Sequence, residues 1–249
     1  MQQSNAYIII FSAVLTIVLG GLLSLTSVGL KPLQDQQVEL DTKKKILGAV
    51  MDISSIEDPQ EILKIYDERI TSTTVDIKGN EVTTNSKGEP VVAEKVNIPK
   101  NYKLDASERM YPVFMFKGES GELEAYIFPM FGAGLWDWIS GYIALESDLN
   151  TVKGIAFDHK QETPGLGARI TTPEVQQRYQ GKKIFDGAEL QSVSMVKGEG
   201  NPGLTDYQVD GMSGATITGK GVNKMLMHYL ECYTSFFEKV KTGQSVALN

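Results

Sequence analysis

The chain of 249 residues is expected to form an α/β (α+β) domain with mixed or antiparallel sheets and flanking helices, preceded by one N-terminal transmembrane helix. Three observations predict this. Residues 7–30 hold no charged side chain. The middle of the chain alternates short β-rich runs with turn residues. Near the C-terminus Val222, Met225, Leu226, Tyr229, Tyr233, Phe236 and Val240 recur at spacings of three and four, the signature of an amphipathic helix packed on a core.

Taken in order, the first element is the apolar run Tyr7–Leu30. At about 1.5 Å per residue it is long enough to cross a hydrocarbon layer of roughly 30 Å. It lacks the basic n-region and small-x-small site of a cleaved signal peptide, so a permanent anchor is expected. The divisions that follow are a tail at 1–6, the anchor at 7–30, a membrane-proximal helical segment at 31–70 and one domain at 71–249. In that helical segment Leu40–Val50 reads as a helix leading away from the membrane. Asp58-Pro59 supplies an N-cap and first-turn pair for a helix through Ile70. The lysines 43–45 read as its solvated face against lipid headgroups.

The strands come next. Thr73–Ile77 and Glu81–Thr84 flank Lys78-Gly79-Asn80, and Tyr111–Phe116 pairs with Leu123–Phe128 across residues 118–121; both read as hairpins. Residues 85–103 are polar and broken by Pro and Gly, the stretch expected to pack least. Ile139–Leu145 and Lys153–Phe157 are further strands joined by the turn 146–150. Thr172-Pro173-Glu174 caps a short helix through Tyr179, and Leu190–Val196 is the last strand before the long helix, whose start is expected near Gly219.

Charge and composition exclude several functions. All charges follow the anchor and sum to −7, with no clustered basic face of the kind nucleic acid requires. The single cysteine, Cys232, forms no internal disulfide and sits on the apolar helix as a small core residue. His159 and His228 stand far apart without paired cysteines, so no metal site is expected. Gly214-x4-Gly219-Lys220-Gly221 lacks the Ser or Thr of a P-loop. Gly198-x-Gly200-x-x-Gly203 holds Pro202 and is followed by no apolar helix, which makes it a turn rather than a dinucleotide fingerprint.

The run Asp210–Gly219 carries the most information. It sets two hydroxyls, Thr216 and Thr218, among the small residues Ser213, Gly214 and Ala215 ahead of a helix start, where unpaired amides and the helix dipole favour a phosphate. Lys220 adds a cation. On these residues alone, a glycine-rich loop with hydroxyl caps is as good a reading.

Asp210-x-x-Ser213-Gly214-Ala215-Thr216 is similar to the motif that flavin transferases recognise when they move FMN from FAD onto a threonine hydroxyl. Phe131-Gly132-Ala133-Gly134-Leu135-Trp136 and Glu162-Thr163-Pro164-Gly165-Leu166-Gly167 resemble the two other signature stretches of the FMN-binding domains in the C subunits of Na+-translocating NADH:quinone oxidoreductases. The related G subunit of Rnf-type ferredoxin:NAD oxidoreductases shares the plan and is the alternative. The resemblance implies FMN held covalently as a phosphoester on Thr216, with Thr218 as neighbour or second candidate acceptor, and Asp210 serving recognition by the transferase.

It also implies the A, B, D, E and F subunits as partners, and an electron path from NADH through this FMN to ubiquinone, coupled to sodium export. The chain would then be a single-pass protein of the bacterial inner membrane with its domain on the periplasmic side, although lysines 31 and 43–45 argue for the cytoplasm by the positive-inside rule. For such a flavin, Gly132, Gly134, Gly165 and Gly167 leave room, Leu166 packs on the ring and Thr163 bonds its edge. Trp136 lines the site or is an ordinary core tryptophan. Glu162 orients its loop, meets the ribityl chain or is an exposed carboxylate. The competing class is a membrane-anchored scaffold module that never receives a flavin.

Overall fold

A computed structural model describes residues 4–85 and 87–243. The chain divides into two compact units, Met1–Thr42 and Lys43–Asn249. The first unit consists of most of helix α1 (Asn5–Gly48), long and apolar enough to cross a membrane, with none of its most apolar stretch buried in the protein. Within it Thr16 donates to the Ser12 carbonyl and Thr26 to that of Leu22, the local back-bonding open to hydroxyls inside a helix. Of the stretch 40–50, expected as a helix of its own, residues 40–48 are the last part of α1 instead and 49–50 form a turn.

The second unit is built on a five-stranded sheet of β1 (Ile70–Val75), β2 (Tyr111–Lys117), β3 (Leu123–Ala133), β4 (Trp138–Glu146) and β5 (Val152–His159). The strands pair in sequence order and every pairing is antiparallel. The expected hairpin of β2 and β3 is present, with Phe114 opposite Ile127 and a register shift at Phe116/Lys117. A parallel contribution is confined to the two-residue strands β8 (Ser194–Met195) and β9 (Gln208–Val209); β6 (Phe185–Asp186) and β7 (Glu189–Leu190) form another small pair. The strand expected at 190–196 is therefore split between two small sheets.

Both faces of the large sheet are covered. Val113, Met115, Tyr126, Phe128, Met130 and Ile143 point to one face and share a buried cluster with Met225, Leu226, Tyr229, Tyr233, Phe236 and Phe237 of α5 (Thr216–Lys241). Phe128 is the centre: its ring lies 4.6 Å from Tyr233, 5.2 Å from Phe237 and 6.0 Å from Phe236. Each such side chain contributes about 1.5–3 kcal/mol on burial. The Tyr233 hydroxyl, wholly enclosed, donates to the Pro112 carbonyl at 2.7 Å.

The opposite face carries Phe114, Phe116 and Tyr142, with the Arg69 guanidinium 4.3 Å from the Phe116 ring. Over this side lie α2 (Pro59–Arg69), capped by Asp58 as expected, and the segment around Ala49, whose carbonyl approaches Gly154 so closely that a Cβ there would stand 2.5 Å from it. The triple lysine is only partly a free surface. Lys43 pairs with Asp67 at 3.0 Å and Lys45 with Asp158 at 2.6 Å.

Other expectations are corrected. Residues 81–84 form no full strand: they meet the free edge of β1 only through the Val75–Glu81 bridge and the bond from the Val82 amide to the Thr74 carbonyl. The turn Asp76–Asn80, tied by the Asp76 carboxylate to the amides of Lys78 and Asn80, leads only to isolated bridges. The polar stretch 85–103 is packed in part: α3 (Ile98–Asn101) ends on a buried Asn101 whose side chain brackets the Met110 backbone through bonds of 2.7 and 3.0 Å; Ser86 lies outside the described residues. Thr172 precedes α4 (Pro173–Gln177) but does not cap it, since its hydroxyl donates back to the Arg169 carbonyl.

Candidate functional site

The sequence places three glycine-rich segments far apart, and the fold brings them together at the start of α5. That helix begins at Thr216, three residues before the expected Gly219. Gly219 donates the first helical bond, to the Ala215 carbonyl, and Ala215 offers no side-chain cap. The amides of Thr216, Ile217 and Thr218 thus have no intrahelical partner at the positive end of a 26-residue helix. Thr216 is half-buried, and its hydroxyl makes no hydrogen bond among the described residues.

Thr218 is arranged differently. Only 1% of it is exposed, and its hydroxyl donates to Glu162 Oε2 at 2.6 Å. The other carboxylate oxygen accepts from the Leu135 amide at 2.7 Å and the Trp136 amide at 3.3 Å. Glu162 therefore joins all three segments. Being 4% exposed, it is not the exposed carboxylate that the sequence left open. His159 sits behind it, its Nδ1 accepting the Glu162 amide at 3.3 Å.

Trp136 is not a core tryptophan either. It is 68% exposed, and its Nε1 donates to the Thr163 hydroxyl at 3.2 Å. Leu166 and Ile217, 41% and 56% exposed, stand beside the helix start. Exposed large apolar side chains gathered around one point mark a surface that meets something.

The glycines have a different purpose from the expected one. A Cβ at Gly132 would meet Met225 at 2.9 Å, one at Gly134 would stand 2.3 Å from Glu162 Oε1, and one at Gly167 2.3 Å from Oε2. The room they leave is filled by the protein itself. Gly221, read in the sequence only as the residue that breaks a P-loop, lets α5 reach the Ala133 carbonyl, 2.3 Å from where its Cβ would be. Gly165 and Gly214 supply positive φ of 75° and 76°, which only glycine adopts without strain.

Ser213 and Gly214 are exposed on the loop and Ala215 is buried beneath it. The Asp210 carboxylate faces its own chain: the Asn201 side chain and the Gly200 and Asn201 amides hold it at about 2, well below the usual value. It thereby closes the turn 198–203, whose Gly198, Gly200 and Gly203 all have positive φ. Two arginines unforeseen from the sequence brace the same loop. Arg178 donates to the carbonyls of Asp210 and Gly211, and with Arg169 it holds Glu199, whose carboxyl these cations lower to about 2. Only the Glu174–Arg178 pair, four residues apart across α4 and its C-cap, carries a sequence signal. Lys220 is exposed.

The remaining candidates lie elsewhere. Cys232 is buried among core side chains, and burial pushes its thiol up, away from a nucleophilic role. Among the described residues no group of three or more His, Cys, Asp or Glu is arranged to hold a metal ion. A cavity of about 570 Å³ between residues 44–54, β5 and α4 contains none of the motif residues.

Residues 134–231 match the model of the FMN-binding domain family. Over 87% of this chain and 86% of its own length, the C subunit of the Na+-translocating NADH-quinone reductase of Neisseria meningitidis serogroup B is 31% identical. The chain belongs to this family of C subunits. Its Pseudomonas aeruginosa member is 29% identical over 98% of this chain and 99% of its own. The crystal structure of the Parabacteroides distasonis member superposes with a TM-score of 0.72 at 36% identity, covering 84% of this chain and 96% of that one. That of Shewanella oneidensis NqrC gives 0.69 at 26% identity, covering 83% and 99%. This chain is accordingly a subunit of an oxidoreductase complex with an FMN-binding domain, and the relatives' names favour the NqrC family over the Rnf G subunit.

Proposed function

We propose that this protein is a membrane-anchored electron-transfer subunit that carries FMN as a phosphoester on Thr216. The observation that carries the reading is the uncapped start of α5: the Thr216 hydroxyl has no partner among the described residues, beside three amides without an intrahelical partner and within an exposed apolar rim. Those residues fit the group. An ester on Thr216 places its phosphate at the amides and the dipole, which favour an anion, and Trp136, Leu166 and Ile217 offer an apolar wall for a flat ring. FMN supplies reversible redox chemistry that no side chain of this protein can supply. The chain's own part is to hold the phosphate at the helix start, exclude water from the ring with Trp136 and Leu166, and keep the site at a rigid edge of the domain.

The membrane anchor is α1 in this reading, and the domain stands on the periplasmic side of a bacterial inner membrane among the A, B, D, E and F subunits, after a flavin transferase has loaded it. Electrons from NADH pass through it toward ubiquinone while the whole complex moves sodium. An impermeant thiol label on a cysteine introduced at exposed Ser213 tests the orientation in intact cells; protection from the label overturns it. The decisive experiment is to co-express the full chain with a flavin transferase, denature it and look for flavin fluorescence at its mass. Thr216→Ala is expected to be dark, and peptide mass spectrometry to find the modification on Thr216. Fluorescence persisting in Thr216→Ala overturns the attachment site; a dark wild type overturns the reading.

A further inference from the structure

We infer that Glu162 is the positioning residue of the flavin threonine: its buried carboxylate ties the first turn of α5 to the loop bearing Trp136, and so fixes where the Thr216 hydroxyl stands. The inference rests on the attachment reading above.

The carboxylate bridges two segments that no covalent path keeps close. Oε1 accepts the amides of Leu135 and Trp136, and Oε2 accepts the Thr218 hydroxyl, 56 residues away in sequence, at 2.6 Å. Its surroundings are fitted to it. A Cβ at Gly134 would stand 2.3 Å from Oε1 and one at Gly167 2.3 Å from Oε2 and 2.5 Å from the Thr218 hydroxyl, so alanine at either position closes the space the carboxylate occupies. A hydrogen bond to an ionised acceptor is about twice as strong as a neutral one, and its geometry is directional.

The helix geometry makes this clamp a presenter. At about 100° per residue, Thr216 and Thr218 lie roughly 200° apart around the axis. Drawing Thr218 inward onto Glu162 therefore turns Thr216 toward the opposite side. α5 has no side-chain cap, and among the described residues no other side-chain hydrogen bond reaches Thr216–Gly219. One turn further on, Asn223 brackets the Met195 backbone, donating to its carbonyl at 2.9 Å and accepting its amide at 2.7 Å. That contact secures the helix through β8 and does not involve Glu162 or either threonine, and it serves as the matched control.

The test uses the full chain with a flavin transferase and FAD, measuring three quantities: the initial rate of covalent attachment by mass spectrometry, the midpoint potential of the attached flavin, and Tm. Thr218→Val removes the donor and Thr218→Ser restores it. Glu162→Gln leaves one acceptor oxygen where the carboxylate has two. We expect Thr218→Val and Glu162→Gln to slow attachment by on the order of tenfold or more, as small misplacements of a reacting group do, and to shift the potential. Thr218→Ser returns both to wild type, while Asn223→Ala lowers Tm comparably and leaves the rate near wild type. Should Glu162→Gln not fold, the Thr218 pair decides alone. Unslowed Thr218→Val, or equal slowing by Asn223→Ala at equal loss of Tm, overturns the inference with the attachment reading intact. A wild type that takes no flavin overturns the attachment reading itself.

Discussion

The body of α5 and its first turn use one backbone geometry for opposite purposes. From Met225 to Phe237 the helix is anchored by aromatic contacts to the sheet, with Tyr229, Tyr233, Phe236 and Phe237 all buried. At Thr216 to Lys220 it shows a free hydroxyl, open amides and an exposed isoleucine. Because the body fixes the axis, the first turn needs no cap of its own. An uncapped start is unfavourable in an isolated helix, where a good N-cap contributes about 1 kcal/mol; here it is the feature that leaves room for an anion.

The largest effect is expected from the body. Phe236→Ala removes a ring packed against Phe128 and Tyr126 and is predicted to destabilise the domain by about 3–5 kcal/mol in denaturant unfolding, while the folded fraction still takes flavin at Thr216. Loss of attachment in that folded fraction breaks the separation between body and first turn. Gly167→Ala acts at the junction, where the new methyl overlaps the Glu162–Thr218 contact. It is predicted to lower stability by roughly 1–3 kcal/mol and, unlike Phe236→Ala, to impair attachment as well.

Acid sharpens the contrast through two strongly depressed carboxylates on the first-turn side. Glu199 and Asp210 are both held at about 2, against ordinary values of 4.5 and 3.8. Their folded pKa values are depressed, so their stabilisation is complete above the ordinary carboxylate range and is lost as pH falls from about 5 toward 2. Glu199→Gln is expected to flatten that part of the Tm-against-pH curve, and high salt to do the same for wild type, because the pairs are solvent-accessible. A curve that keeps its slope in Glu199→Gln breaks the assignment. The smallest stability change belongs to Trp136→Ala. With its ring 68% exposed, the variant should stay within about 0.5 kcal/mol of wild type, yet alter the absorbance and potential of bound flavin if the indole lines it.

Much of the fold was legible because it is encoded locally. The apolar run 7–30, the Asp58-Pro59 start, the 111–128 hairpin and the period of α5 each follow from neighbours a few residues apart. The errors arose where partner choice is non-local. The main partner of β1 is β2, across 35 intervening residues, and residues 81–84 reach the free edge of β1 only through a single bridge, while two of the three lysines at 43–45 find Asp67 and Asp158 within the domain. The site divides in the same way. Its small residues and hydroxyls were readable as a motif, whereas Arg169, Arg178 and Glu199 gave no comparable signal, because contacts 21 and 30 residues apart leave no periodic trace.

By itself the sequence determined that an apolar helix precedes an α+β domain, with its sheets left as mixed or antiparallel, and that hydroxyls stand among small residues before a long amphipathic helix. Helical period, strand alternation and turn chemistry act over short distances and are written in order along the chain. The tertiary structure alone decided that Thr218 is enclosed while Thr216 is not, that the signature glycines make way for Glu162 and Met225, and that Trp136 stands in solvent. Those outcomes depend on which distant segments share a volume, and close packing admits one occupant for each space.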